Sequence, residues 1–423
     1  ALGSSFSWTS PAAAPRSPRM SSSVQPQVVS LGCRLNIAES ETIRALLAGR
    51  PAGHEVAVVN SCAVTNEAVK QSRAAIRRLR RERPTAELVV TGCAATVDPA
   101  GFGAMAEVDR VVANDAKLLP SAWGVAEPVA PPPSFAGHAR AFVEVQNGCD
   151  HRCTFCAIPF GRGPSRSVPA GAVVDRVRAL VEAGHREVVL TGVDVTSWGA
   201  DLPGRPGFGA LVERVLVHVP GLERLRLSSL DSIEMDERLI DCVTGDTRVM
   251  PHVHLSLQAG SDLILKRMKR RHSRAQAIAL VARLKAARPD ITVGADIIAG
   301  FPTEDEAMFA DSLALVEDCG IVHAHVFPYS PRAGTPAARM PQVAPDVRRE
   351  RAGRLREAAA RQRARWLAGL VGSRQRVLFE RPGDRGHAEN FAEVRLPQAA
   401  EPGTIRPVTI TGATDTHLSG HIA

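Results

Sequence analysis

After a proline-rich stretch at residues 124–139, with VAPPPSF at its centre, the chain settles into a repeated strand-then-helix rhythm. Apolar β-rich runs recur at AFVEVQ (141–146), REVVLTG (186–192), ERLRLSS (223–229), HVHLSLQ (252–258), ITVGADIIAG (291–300) and VHAHVFP (322–328). Segments of helical periodicity such as AGAVVDRVRALVEAG and RAQAIALVARLKAARP fall between them. Consecutive strands joined by helical crossovers must lie parallel, and the right-handed crossover leaves few topologies. Six such units suit a partial α/β barrel better than a closed eightfold one.

The same rhythm, shorter, precedes the proline-rich stretch. PQVVSLGC, HEVAVVNSC and AELVVTGC are three β-rich runs, separated by the helical patterns ESETIRALLAG and NEAVKQSRAAIRRLRRERP. A fourth strand is expected at VDRVVAN, so residues 26–123 read as a small parallel α/β sheet. The boundaries expected on this reading are an N-terminal extension at 1–25, the sheet at 26–123, a linker at 124–139 and the barrel at 140–340. An Arg-rich helix at 341–370 then leads into short runs at 371–423, separated by Gly, Pro and Asp as in a small all-β barrel.

Composition adds limits rather than identity. A chain of 423 residues calls for two or three cores, and 44% apolar residues suffice to build them. The formal charge of +8 favours a polyanionic partner. No run of about eighteen apolar residues is present, so no membrane partner is expected. The Ser-, Pro- and Ala-rich opening lacks the apolar stretch of a signal peptide, and Met20 is a candidate start. A cytoplasmic location is expected, where clustered cysteines stay reduced and bind metal or do redox chemistry.

Six of the eight cysteines fall into two trios. Cys149, Cys153 and Cys156 occupy one loop, GCDHRCTFCAIPFGRG, after the first barrel strand, at the carboxyl end where such barrels place their sites. Three thiolates hold three irons of a [4Fe–4S] cube and leave the fourth open to a small chelating molecule. The alternative is a zinc site completed by His151, but structural zinc usually takes paired C-x2-C knuckles, and this loop is C-x3-C-x2-C. Cys33, Cys62 and Cys93 each follow a strand of the first sheet, and parallel strands bring their carboxyl ends to one edge. They read either as a second cluster site or as three small buried residues; the shared strand-end position favours the cluster. Cys242 and Cys319 read as core residues.

The C-x3-C-x-aromatic-C loop resembles the radical S-adenosylmethionine (SAM) superfamily, with Phe155 at the aromatic position. That resemblance implies a [4Fe–4S] cluster on Cys149, Cys153 and Cys156, with SAM chelated by its open iron and cleaved to a 5′-deoxyadenosyl radical. The two trios together resemble the methylthiotransferases of that superfamily. SLGCRLN, VVNSCAVT, VTGCAA, CTFCAIP with RGPSRS, LTGVDVTSWG, HLSLQAGSD with LKRMKR, and GADIIAGFPTE carry the likeness in order. It implies a flavodoxin-like N-terminal domain with an auxiliary [4Fe–4S] cluster on Cys33, Cys62 and Cys93, a partial (β/α)6 barrel and a C-terminal TRAM β-barrel. It also implies that Phe155, Thr191, Gly192, Asp194, Ser256, Gln258 and Gly300 lie around SAM.

SLGCRLNIAESE is similar to the branch acting on N6-threonylcarbamoyladenosine of tRNA, through Arg34 and Leu35. The other branches act on isopentenyladenosine in tRNA or on an aspartate of a ribosomal protein. The implied partners are tRNA, a flavodoxin- or ferredoxin-type electron donor and a sulfur source. Basic segments such as KQSRAAIRRLRRERP read either as RNA contacts or as solvated helix faces. A different class, a non-catalytic iron–sulfur or zinc RNA-binding protein, has no use for LTGVDV and GADIIAGFPTE on a six-stranded barrel.

Overall fold

The computed structural model describes residues 26–50, 55–126, 135 and 138–423. The expected extension and most of the linker lie outside these residues.

The first sheet has four parallel strands, Gln27–Ser30, Val56–Ser61, Glu87–Gly92 and Arg110–Val111, in chain order. Strand side chains alternate between faces, and helices cover both sides as in a flavodoxin-like layer. Val56, Val58 and Val89 pack with Ile43, Leu46 and Leu47 of helix Arg34–Ala48. Ala57, Val59, Leu88 and Val90 pack with Ile76 and Leu79 of helix Asn66–Glu82. Thr65 caps that second helix by accepting from the Ala68 amide at 3.1 Å.

The barrel strands are Arg140–Glu144, Glu187–Thr191, Arg224–Leu227, His252–Gln258, Thr292–Ala299 and Ile321–Pro328. They form two three-stranded parallel sheets, joined by parallel bridges Leu225 to Val249 and Leu230 to Leu255. Alternate residues Val188, Leu190, Leu225, Val253, Leu255 and Val293 point out into the helical layer. The intervening positions face the lumen and are mostly polar: Arg140, Glu187, Arg224, Arg226, His252, His254 and Asp296. Among the described residues the first and last strands do not pair, so the barrel stays open on one side. Helix Arg34–Ala48 of the first sheet lies against that opening, with Ala38 inside the barrel core and Ile37 against it.

Helix Pro345–Ala368 gives Ala352, Leu355 and Ala359 to the same core. Several of its arginines bond within the chain: Arg348 to the Tyr329 carbonyl, Arg351 to Glu304, Arg356 to the Val326 carbonyl and Arg363 to the Asp415 carbonyl. These four arginines tie the helix to the barrel and to the C-terminal strands.

The C-terminal strands Arg374–Glu380, Arg385–Ala388, Glu393–Arg395, Ile405–Ala413 and Leu418–Ile422 close into a barrel. The run AENFAEVRL is split by a turn at Phe391, whose φ is +71°. That turn enters the amino-terminal mouth of the large barrel. Phe391 stacks on His252 at 5.0 Å, Arg226 donates to the Glu389 carbonyl, and the Thr292 hydroxyl donates to the Asn390 carbonyl.

Candidate active site

The loop carrying the first cysteine trio is pinned at both ends. Gly148 takes φ +73°, and a Cβ there would meet the Pro164 carbonyl oxygen at 1.8 Å, so only glycine fits. Thr154 donates its amide to the Met268 carbonyl and its hydroxyl to the Arg267 carbonyl. Phe155 packs edge-on to Phe301 at 6.5 Å. Gln146 ties the loop to the second strand end: its side-chain oxygen accepts from the amides of Val193 and Asp194, and its side-chain nitrogen donates to the Gly148 carbonyl. A Cβ on Gly192 would strike the Gln146 carbonyl oxygen at 2.6 Å.

Asp194 lies 3.7 Å from the Cys149 sulfur and 2.9 Å from Nε2 of His151. His151 also meets Glu234 at 3.5 Å, and its hydrogen bonds to Asp194 and Glu234 raise its pKa to about 10. Nε2 of His151 is thus turned toward Asp194 and Glu234, with Arg271 also 3.0 Å away, rather than toward the cysteine sulfurs.

Cys33, Cys62 and Cys93 stand at the ends of adjacent strands, as expected. Gly32 and Gly92 have φ of +90° and +93°; a Cβ on Gly32 would reach the Cys62 sulfur at 2.6 Å. Burial pushes the thiols of Cys62 and Cys156 up to about 11 and that of Cys149 to about 12. Solvent reaches Cys33, yet its dense surroundings raise its thiol as well. Neighbouring cysteines within each trio add to these shifts, and Cys93 adds to that of Cys156. Thiols held this way ionise only beside a strong cationic centre. In neither trio do all three sulfurs lie within 4.8 Å of one another, wider than the about 3.8 Å a tetrahedral zinc with Zn–S about 2.3 Å would impose. All-thiol donor sets are what an iron–sulfur core takes.

The two trios face each other through a buried polar network that sequence reading missed. Arg162 donates from Nε to the Cys93 sulfur at 3.1 Å, and from its two terminal nitrogens to Glu39, Asn147 and Asn36. Lys117 closes the network with a 2.6 Å bond to Glu39. Burial would raise the Glu39 pKa, but Lys117 and Arg162 together bring it to about 2. A lone arginine within FGRGPSRS gives no sign of a partner more than a hundred residues upstream. The only signal was proximity in sequence, Asn36 and Glu39 to Cys33 and Arg162 to Cys156.

Other expected positions are less exposed to the trios. Thr191 is buried and pairs with the Ser228 hydroxyl at 3.3 Å. Ser256 accepts from Arg270 through its carbonyl, and Gln258 takes φ +69° at a strand end. Gly300 also has positive φ, and the space a Cβ would need is filled by Arg348. Cys319 is buried in the barrel core; Cys242 packs at its edge beside a surface hollow lined by Glu213, Arg238 and Arg248.

Deeper in the lumen, Glu187 is fully buried and bonds Arg140 at 2.6 Å and Arg226 at 2.9 Å, with Arg224 at 3.5 Å. Midway along it, one oxygen of Asp296 lies 3.1 Å from His254 and 3.2 Å from His325.

The Radical SAM superfamily matches residues 143–316, and the uncharacterized protein family UPF0004 matches 25–113. The chain is 44% identical to the threonylcarbamoyladenosine tRNA methylthiotransferase MtaB of Rickettsia prowazekii (strain Madrid E), over 94% of this chain and 98% of that protein. It belongs to the MtaB methylthiotransferase family. It is therefore a transferase of the radical SAM type, a class that uses SAM and a [4Fe–4S] cluster. MtaB of Chlamydia pneumoniae is 35% identical over 88% of this chain and 91% of its own length. The tRNA-2-methylthio-N(6)-dimethylallyladenosine synthase of Erythrobacter litoralis (strain HTCC2594) is 34% identical over 84% and 86%. Among solved structures, the radical SAM methyltransferase TsrM of Kitasatospora setae shares the fold, with a TM-score of 0.50 and 16% identity over 70% of this chain and 66% of that one. None of the described helices is long and apolar enough to cross a membrane.

Proposed function

We propose that this chain adds a methylthio group to C2 of N6-threonylcarbamoyladenosine at position 37 of tRNA, in the cytoplasm. The end-to-end 44% identity to an MtaB protein carries this reading. The two thiol trios facing one buried network support it. Cys149, Cys153 and Cys156 would hold the cluster that binds SAM, and Cys33, Cys62 and Cys93 an auxiliary [4Fe–4S] cluster. Together these groups supply a carbon-centred radical and a sulfur for C–S bond formation.

The protein's own residues bind and orient. Gln146 holds the Thr191–Asp194 turn against the cysteine loop, with Asp194 3.7 Å from the Cys149 sulfur, where it would lie beside SAM. Phe155, Ser256, Gln258 and Gly300 would line the rest of that cosubstrate's site. Arg162 neutralises charge building up on the Cys93 sulfur and fixes the distance between the trios. Glu144, pushed up to about 7 by burial and by Glu39, carries only part of a full negative charge near neutral pH. An electron donor of flavodoxin or ferredoxin type and a sulfur source complete the cycle.

The direct test is nucleoside mass spectrometry of tRNA from a host lacking its own enzymes of this family, with and without this protein. The 2-methylthio derivative of threonylcarbamoyladenosine should appear only with it; a modified isopentenyl nucleoside instead would overturn the substrate assignment. Arg162→Ala should lower auxiliary iron retention and methylthio product about 10- to 100-fold, as loss of an outer contact to a metal ligand does. Iron content and product measured on the same anaerobic preparation check it.

A further inference from the structure

We infer that Arg34 binds the carboxylate that ends the substrate's threonyl arm, and so separates this nucleoside from the apolar isopentenyl one. The inference rests on the function proposed above and names the residue that reads the substrate.

Arg34 is the first residue of helix Arg34–Ala48 and follows Cys33 directly. Its side chain runs into the open side of the barrel, where its guanidinium lies 5.9 Å from the centre of the Phe391 ring. Among the described residues no carboxylate pairs with it. Glu187, the buried acid of this part of the lumen, is already shared by Arg140, Arg224 and Arg226. Arg140 and Arg226 stand over the same Phe391 ring, at 5.5 and 4.8 Å from its centre, so like charges surround the Arg34 guanidinium. Lys117, Arg162, Arg224, Arg226 and Arg351, the buried cations among the described residues, each have a carboxylate within 4 Å.

A desolvated cation without an anion is costly, and a cation–π contact of this length offsets only part of that cost. The Arg34 nitrogens are not among the buried polar atoms sealed off without a partner, so solvent still touches them. What the site lacks is an anion from outside the chain. The threonylcarbamoyl arm has one, at the end farthest from C2. Arg34 follows Cys33 directly, so its guanidinium stands within one side chain's length of the strand-end trio. An isopentenyl arm would leave Arg34 desolvated and unpaired, which makes the discrimination repulsive as well as attractive.

The test uses full-length, anaerobically reconstituted protein with two tRNA substrates. One carries threonylcarbamoyladenosine at position 37, the other its carboxamide analogue, uncharged and of equal size. Wild type should prefer the carboxylate by roughly 10- to 100-fold in kcat/KM, mainly through KM, as a charge-assisted hydrogen bond implies. Arg34→Met should erase that preference by losing only the carboxylate substrate's advantage, and Arg34→Lys should retain part of it. Iron content and cluster absorption report whether each variant is loaded. A wild type that treats the two substrates alike overturns the inference whatever the variants do, as does an Arg34→Met protein that keeps the preference. A wild type inactive on both, yet active on an isopentenyl tRNA, overturns the proposed function itself.

Discussion

Cys153→Ala should abolish formation of 5′-deoxyadenosine from SAM, whereas Cys62→Ala should retain it and lose the methylthio product. Each loss should reach at least about 10³-fold, or about 4 kcal/mol of barrier. The physical reason is the division of the six cysteines. The loop trio sits beside Asp194 at the mouth of the barrel, and the strand-end trio sits across the Arg162 network on the other sheet. Iron should fall from about eight to about four per chain in either variant, because each site binds its cluster through its own thiols. Iron assay, SAM cleavage and nucleoside product, measured together, separate the two variants. Equal loss of SAM cleavage in both would sink the two-site assignment. Burial holds the thiols of Cys33, Cys62, Cys149 and Cys156 less acidic than a free thiol, so loading with metal releases their protons and should weaken as pH falls.

The second large effect is on stability. Glu187→Ala should destabilise the protein by about 3–5 kcal/mol, because it strands buried arginines that share one carboxylate. Arg224 and Arg226 are fully buried, and both also donate to carbonyls of the C-terminal barrel, at Arg376 and Glu389. The loss should therefore loosen the docking of that barrel as well as the lumen. Burial alone would raise the Glu187 pKa, but Arg226, Arg140 and Arg224 hold it well below the usual carboxylate range. A depressed folded-state pKa means that this stabilisation is present above the unfolded value of 4.5 and is lost as pH falls toward the folded one. The gap between wild type and Glu187→Gln in urea midpoint should be wide at pH 7 and narrow below about pH 4.5. A gap independent of pH would point to lost packing instead.

The βα rhythm was plain in the chain because a strand buried on both faces must be apolar at nearly every position, and helices repeat every 3.6 residues. All six barrel strands fall where the runs AFVEVQ to VHAHVFP stand. The C-terminal barrel was less clear: AENFAEVRL contains a turn at Phe391, and nothing local announces that its tip enters another domain's lumen. Helix Pro345–Ala368 shows the opposite case. Its arginines stand out in the sequence as a basic run, but only the structure shows that carbonyls and carboxylates elsewhere in the chain take several of them.

What the sequence alone determined was chemistry with a local signature: the Cys149–Cys153–Cys156 loop, the three strand-end cysteines and the parallel α/β class. Spacing and periodicity are properties of neighbouring residues, so they survive without a structure. Only the tertiary structure decided that Arg162 bonds Cys93, that Glu187 gathers three arginines, and that Arg34 stands without an anion. Each of those is a matter of which charges meet in a low-dielectric space, and residues that meet there come from distant parts of the chain.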